Sequence, residues 1–172
     1  MNTLVALLRA VNVGGVKLPM ADLRAMAEAA GYENARTYIQ SGNLVFTTSD
    51  GADAAHAALE KRLEVYAGKP VGVVMRTAEE MRAVLDANPF PDAEPSKVGI
   101  LFLDAPPPTE TIDVARGRAD EALALGAREI FVHYPSGMGR SKLRFPAMSE
   151  GTSRNVNTVR KLVEIAAEIS RR

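Results

Sequence analysis

Apolar residues recur along this chain in two rhythms. Residues 3–11 are apolar at nearly every position over a short span, which predicts a strand buried on both faces. Residues 71–75 and 98–103 repeat that pattern. Leu23, Met26, Ala27 and Ala30 instead recur at helical spacing, one stripe of an amphipathic helix with Pro19 in its first turn and Gly31 at its end. Residues 36–40 and 44–48 read as two strands joined at Ser41-Gly42-Asn43, a hairpin turn. Asp50 is placed to cap a helix that carries Leu59, Leu63 and Tyr66 and closes at Gly68. Residues 1–76 therefore read β-α-β-β-α-β, the ferredoxin-like split βαβ order.

Thr77 and Glu80 have the spacing of a capping box for a third helix, with Met81, Val84 and Leu85 facing inward. Pro89, Pro91 and Pro95 then mark a loop and the expected boundary. After the strand at 98–103, Pro106-Pro107-Pro108 forces an extended turn ahead of a helix expected over 109–118. Residues 120–125 fit either a helix tail or a strand. Residues 130–134 read as a strand, with Gly126-Ala127 turning a hairpin. A short helix limited by Pro146 is expected over 141–150. The last helix, with Thr152 or Ser153 as its N-cap, buries Val156, Val159, Leu162, Val163, Ala166 and Ile169. The expected fold is thus α+β: tandem ferredoxin-like (split βαβ) subdomains with an amphipathic C-terminal helix. The first subdomain covers 1–76, a connecting helix and Pro-rich loop 77–95, and a second βαββα subdomain 96–172. The two halves share an element order without residue-by-residue repetition.

Composition narrows the chemistry. With 47% apolar and 24% charged residues over 172 positions, the chain is ordinary globular material for one domain or two small ones. Acids and bases balance at 21 each, so a nucleic-acid site would have to be a local patch. The absence of Cys removes disulfides, thiolate metal sites and a Cys nucleophile. Two histidines, His56 and His133, exclude a multi-histidine metal site. His56, in an Ala-rich helix, is expected to be exposed, and His133 to be an ordinary strand residue. No cofactor and no metal are expected. No apolar run approaches the ~20 residues of a membrane span, and no secretory signal opens the chain. A cytoplasmic location without membrane association follows as the expectation.

Four polar blocks are candidate sites. Arg9 interrupts an apolar strand, and Asn12-Val13-Gly14-Gly15 with Lys17 follows it. A guanidinium there must be paired or line a cleft, and glycines let backbone N–H groups approach a ligand. The plain alternative is a solvent-facing Arg and a turn. Gln40-Ser41-Gly42-Asn43 is explained by turn chemistry, with ligand contact as the alternative, and no nucleophile elbow surrounds Ser41. Gly137-Met138-Gly139-Arg140-Ser141-Lys142 resembles a phosphate loop only superficially, because the motif's first glycine would fall at Ser136, and a mobile basic loop is the plain alternative. Last, Gly151 to Lys161 supplies hydrogen-bonding side chains at an expected helix start, where backbone N–H groups and the helix dipole favour anions, with a solvated helix face and ordinary capping as the plain alternative. Arg154 and Lys161, seven apart, would share one helix face with Asn155 and Asn157 nearby. No pair of carboxylates is positioned for acid–base work.

Leu7-Leu8-Arg9-Ala10-Val11-Asn12-Val13-Gly14-Gly15, Tyr38-Ile39-Gln40-Ser41-Gly42-Asn43, His133-Tyr134-Pro135 with Gly139-Arg140-Ser141-Lys142-Leu143, and Thr152-x-Arg154-Asn155-x-Asn157-Thr158-Val159-x-Lys161-Leu162 stand in order along the chain. In these blocks the chain resembles the bacterial domain-of-unknown-function family 1697 over essentially its whole length. The resemblance implies two ferredoxin-like subdomains and no established activity. Val11 and Val156 stand where the family is expected to favour Ile and an aromatic, and neither change touches a polar group.

The expected function is a module that binds a phosphorylated metabolite, nucleotide or other anion in a cleft lined by Arg9, Asn12, Lys17, Gln40, Ser41, Asn43, Arg140, Lys142, Arg154, Asn155, Asn157 and Lys161. One alternative is an enzyme acting on such a substrate, with Lys or Arg stabilising developing negative charge, although no base or nucleophile is identifiable. Another is a protein-interaction module, which would need an exposed apolar patch. Nucleic acid is the less supported partner: RNA binding on such a sheet uses exposed strand aromatics. Those here are limited to Tyr38, Phe46, Phe102, Phe131 and Tyr134.

Overall fold

The computed structural model describes residues 1–13 and 15–172. Gly14, part of the expected turn after the first strand, lies outside the described residues. The described chain forms two four-stranded antiparallel sheets and four α-helices, an α+β fold. It divides into two units, Met1–Arg82 with Lys161–Arg172, and Ala83–Arg160. No helix among the described residues is long and apolar enough to cross a membrane.

In the first unit, β1 (Asn2–Leu8), α1 (Met20–Ala29), β2 (Glu33–Thr37), β3 (Asn43–Thr48), α2 (Ala52–Ala67) and β4 (Val73–Thr77) follow one another. The sheet order is β2-β3-β1-β4, with β1 antiparallel to both β3 and β4. That is the split βαβ order read from the sequence. Leu4, Ala6 and Leu8 of β1 join Leu44 and Phe46 of β3 and Val73 and Met75 of β4 in one core. Leu23 and Ala27 from α1, and Ala55, Leu59 and Leu63 from α2, close it. Each such large side chain contributes about 1.5–3 kcal/mol by leaving water. Val5 and Leu7 are buried too, as the unbroken apolar run requires. Tyr32, beyond Gly31 at φ +86°, stacks on Phe46 with ring centres 4.4 Å apart.

Local expectations shift at three places in this unit. β2 ends at Thr37 rather than running through 36–40, because Ile39 turns to φ +50° and the hairpin already bends there. Asp50 does not cap α2; Gly51 occupies that position without a side-chain bond, and the Asp50 N–H donates to Thr48 Oγ1 at 3.0 Å. His56 is half-buried rather than exposed, its Nε2 lying 2.6 Å from the Val73 carbonyl. The capping box at the head of α3 (Ala78–Asp86) forms as expected. The Thr77 N–H donates to Glu80 Oε1 at 2.8 Å, and the Glu80 N–H to Thr77 Oγ1 at 3.1 Å.

The second unit holds β5 (Val98–Phe102), β6 (Ala122–Leu125), β7 (Glu129–His133) and β8 (Thr152–Asn155), in the order β6-β7-β5-β8. This is the first sheet's order repeated, which is consistent with the expected tandem arrangement. Residues 120–125 resolve to strand β6, and the Gly126 N–H donates to the Glu129 carbonyl at 2.7 Å to close the hairpin. Leu101, Leu103, Ile130, Val132, Leu143 and Phe145 pack together in its core.

Three expectations fail in this unit. The helix over 109–118 does not form: the segment runs in turns, and Arg116 pairs with Arg144 in an antiparallel bridge. Gly117 at φ +70° suits that close pairing and not a helix. The helix over 141–150 is reduced to a single 3-10 turn, Pro146–Ser149, because Arg144 is taken by the bridge and Pro146 has no N–H. Thr152 and Ser153 are not an N-cap. They belong to β8, which satisfies the backbone edge of β5 in the register Phe102↔Thr152 and Ile100↔Arg154. α4 (Val156–Ser170) begins afterwards, with Asn155 Oδ1 accepting from the Thr158 N–H at 2.9 Å.

Candidate functional site

In the second unit, residues 117–121 and 134–142 line a pocket of about 480 Å³. Its wall is fixed by backbone pairing first. The N–H groups of Arg116 and Arg144 each donate to the other's carbonyl at 2.8 Å. A Cβ on Gly117 would collide with the Lys142 carbonyl oxygen, so this approach needs glycine. Side chains then tie the two segments together. Glu121, itself buried, accepts from the Ser141 hydroxyl and from the Ala119 N–H at 2.6 Å. Ser141 Oγ in turn accepts from the Leu143 N–H at 3.1 Å. Arg118 Nε donates to the Glu121 carbonyl at 2.7 Å, and Ser136 Oγ to Asp120 Oδ2 at 2.5 Å.

This network sets the charges. The Ser141 hydroxyl, followed by backbone N–H groups, holds the Glu121 carboxyl below its ordinary value, so it is a carboxylate at neutral pH. A carboxylate so stabilised is a poor proton acceptor. Burial, and then Glu121, push the Tyr134 phenol up, with Arg144 opposing, so Tyr134 stays neutral. Arg140 and Lys142 are exposed at the pocket, and neither has a carboxylate in ion-pair reach among the described residues. The pocket therefore offers two exposed cations beside the hydrogen-bonded carboxyl groups of Asp120 and Glu121. His133 is not part of it; its ring lies against Phe90, centres 5.6 Å apart. No group of His, Cys, Asp or Glu among the described residues is arranged to hold a metal ion.

Asn12, Lys17 and Gln40 line a different pocket, of about 500 Å³, within the first unit. Asn12 Nδ2 donates to the carbonyls of Leu18 at 2.9 Å and Gln40 at 2.8 Å, and Oδ1 accepts from the Leu18 N–H at 2.9 Å. The amide thus clasps its own loop to the β2–β3 hairpin. Ala10, Asn12 and Ile39 all have positive φ, 54°, 58° and 50°. For Ile39, which is β-branched, that is a strained conformation. Asn43 is buried, and its Nδ2 donates to the Tyr38 carbonyl and to Ser41 Oγ, while Ser41 itself is half-buried. Arg9 lays its side-chain stem against Gly72, where a Cβ would come within 3.0 Å of it. Lys17 is exposed, without a carboxylate partner among the described residues.

The last block is rearranged by the strand. Arg154 lies on β8 rather than on a helix, so it shares no helix face with Lys161. Its guanidinium is buried and donates to Thr152 Oγ1 at 2.7 Å and to the Ser153 carbonyl at 2.9 Å. Burial pushes its pKa down to about 10, still charged at neutral pH. Asn155 caps α4, Asn157 is exposed, and Lys161 sits 3.7 Å from Glu164. Sequence reasoning passed over Gly117, Asp120, Glu121 and Tyr134 as pocket residues, because a long-range bridge, and no local motif, brings them to Arg140–Lys142.

A family model described as protein of unknown function (DUF1697) matches residues 1–131. No curated protein matches the chain. Among solved structures, that of the conserved bacterial protein SP0830 from Streptococcus pneumoniae is similar. The two are 26% identical with a TM-score of 0.80, and the match covers 96% of this chain and 98% of that one. The chain belongs to the DUF1697 family of proteins of unknown function.

Proposed function

We propose that this protein binds a phosphorylated metabolite, nucleotide or comparable anion in the pocket of its second unit. The observation that carries this reading is the pair Arg140 and Lys142, exposed at a preformed pocket with no carboxylate partner among the described residues. Charge-assisted hydrogen bonds contribute about 1.5–3 kcal/mol each. Two of them supply ~3–6 kcal/mol before ordering costs, the range of millimolar binding or somewhat tighter. Of the other residues expected at a site, Asn12, Asn43, Arg154 and Asn155 hydrogen-bond to their own surroundings and are read here as positioning groups. A cytoplasmic location, as the sequence leads one to expect, would expose the pocket to such ligands.

The test is a thermal-shift panel of inorganic phosphate, sulfate, sugar phosphates and nucleotides. A ligand at a hundred times its Kd adds about 2.7 kcal/mol, which is roughly 5–10 °C of Tm for a chain of this size. Arg140→Ala and Lys142→Ala should each lose the shift, and Lys17→Ala should keep it. No shift from any anion refutes the proposal.

A further inference from the structure

We infer that the anion taken here is an oligophosphate, three or more linked phosphates, held by Arg116 and Arg144 together with Arg140 and Lys142. This rests on the pocket reading above and narrows its ligand class.

Arg116 and Arg144 are directly opposed in the antiparallel bridge. Opposed residues in such a pair carry their Cβ atoms on the same side, about 5 Å apart, and like charges so placed destabilise the pairing. Both side chains are exposed. Arg144 Nη1 donates to the Leu143 carbonyl at 2.7 Å, and neither guanidinium has a carboxylate partner among the described residues. A repulsive pair kept next in the chain to pocket residues is a local conflict of the kind that functional sites retain. An anion bridging the two would resolve it.

The pair is also continuous with the pocket. Lys142 and Arg144 are exposed while Leu143 and Phe145 are buried, the alternation of an extended segment. Lys142 and Arg144 therefore project to one side roughly 7 Å apart. Arg116 precedes Gly117, itself a pocket residue, and the charge of Arg144 reaches the Tyr134 hydroxyl. Against the two carboxylates of the pocket, Asp120 and Glu121, which accept from Ser136 and Ser141, stand the four basic side chains Arg116, Arg140, Lys142 and Arg144, an excess of two positive charges. A single phosphate meets one part of this row of cations, whereas a chain of three reaches along it. A pocket of about 480 Å³ is sized for a small molecule. Nucleic-acid single strands are held by stacking on exposed aromatics, and the aromatics at hand, Tyr134 and Phe145, are buried.

Isothermal titration at low ionic strength with orthophosphate, pyrophosphate, tripolyphosphate and a short single-stranded oligonucleotide tests this. Tripolyphosphate should bind at least about tenfold tighter than orthophosphate. Arg116→Ala and Arg144→Ala should abolish most of that advantage, weakening tripolyphosphate binding far more than orthophosphate binding. In the absence of ligand, Arg116→Ala, which removes the repulsion without the Arg144–Leu143 hydrogen bond, should raise Tm. Equal affinity for one and three phosphates, or a lowered ligand-free Tm for Arg116→Ala, overturns the inference and leaves the pocket reading standing. Tighter binding of the oligonucleotide overturns it in favour of nucleic acid. Binding of none of the four refutes the pocket reading itself.

Discussion

Replacing Asn12 with alanine removes the clasp between the loop after β1 and the β2–β3 hairpin. The three hydrogen bonds lost run to Leu18 twice and to Gln40 once, at 2.8–2.9 Å. Each contributes about 0.5–1.5 kcal/mol, and the bond to the exposed Gln40 carbonyl belongs at the low end, giving ~2–3 kcal/mol in sum. Asn12 also sits at φ +58°, which asparagine tolerates and alanine does not, at a further cost of about 1 kcal/mol. The total, ~3–4 kcal/mol, corresponds to roughly 6–16 °C of Tm at 2–4 °C per kcal/mol. Scanning calorimetry of Asn12→Ala beside Asn12→Gly separates the two contributions. Glycine loses the same hydrogen bonds but accepts the positive φ, so it should melt a few degrees above the alanine variant. An Asn12→Ala protein that melts within about 1 °C of the parent would refute the clasp. Equal losses in both variants would refute the backbone contribution.

Ser141→Ala should lower the stability of the second unit at neutral pH and flatten its dependence on acid pH. Glu121's folded value lies below its ordinary 4.5, so its stabilisation is present above about 4.5 and is lost as pH falls through the folded value. The gap in Tm between parent and variant should be widest at neutral pH and shrink below 4.5; a gap independent of pH contradicts the assignment. Gly117→Ala meets both φ +70° and the Lys142 carbonyl. It should cost at least ~1–2 kcal/mol and weaken anion binding by displacing Lys142, read by calorimetry and titration together; an unchanged Tm would show that the wall yields. Thr77→Ala breaks half of the capping box and should lower stability by about 1 kcal/mol in chemical denaturation; no change would mean that the cap is redundant.

The first unit was legible because its signals are local. The apolar run at β1, the helical stripe of α1, the αL glycines and the Thr77–Glu80 spacing each specify their element within a few residues. The second unit was legible only where the same held, at β5 and at the Gly126 hairpin. Ile112, Val114 and Ala115 after a proline run resemble a helix in isolation, yet the backbone at Arg116 is committed to Arg144, 28 positions away. Likewise Thr152 and Ser153 are good cap residues, and nothing local shows that β5 requires a fourth partner there. The candidate site divides in the same way. Arg140 and Lys142 were identifiable from their own motif, while Glu121 and Asp120 gain meaning only once the bridge folds them against Ser141 and Ser136.

The most direct test of the central claim is a calorimetric titration of tripolyphosphate into the parent protein and into the Arg140→Ala/Lys142→Ala double variant, with Lys17→Ala beside them. The account predicts saturable binding by the parent and by Lys17→Ala, and binding by the double variant weakened at least about a hundredfold, the loss of two charge-assisted contacts. Binding that survives in the double variant and disappears in Lys17→Ala would contradict the account and place the anion at the first unit's loop.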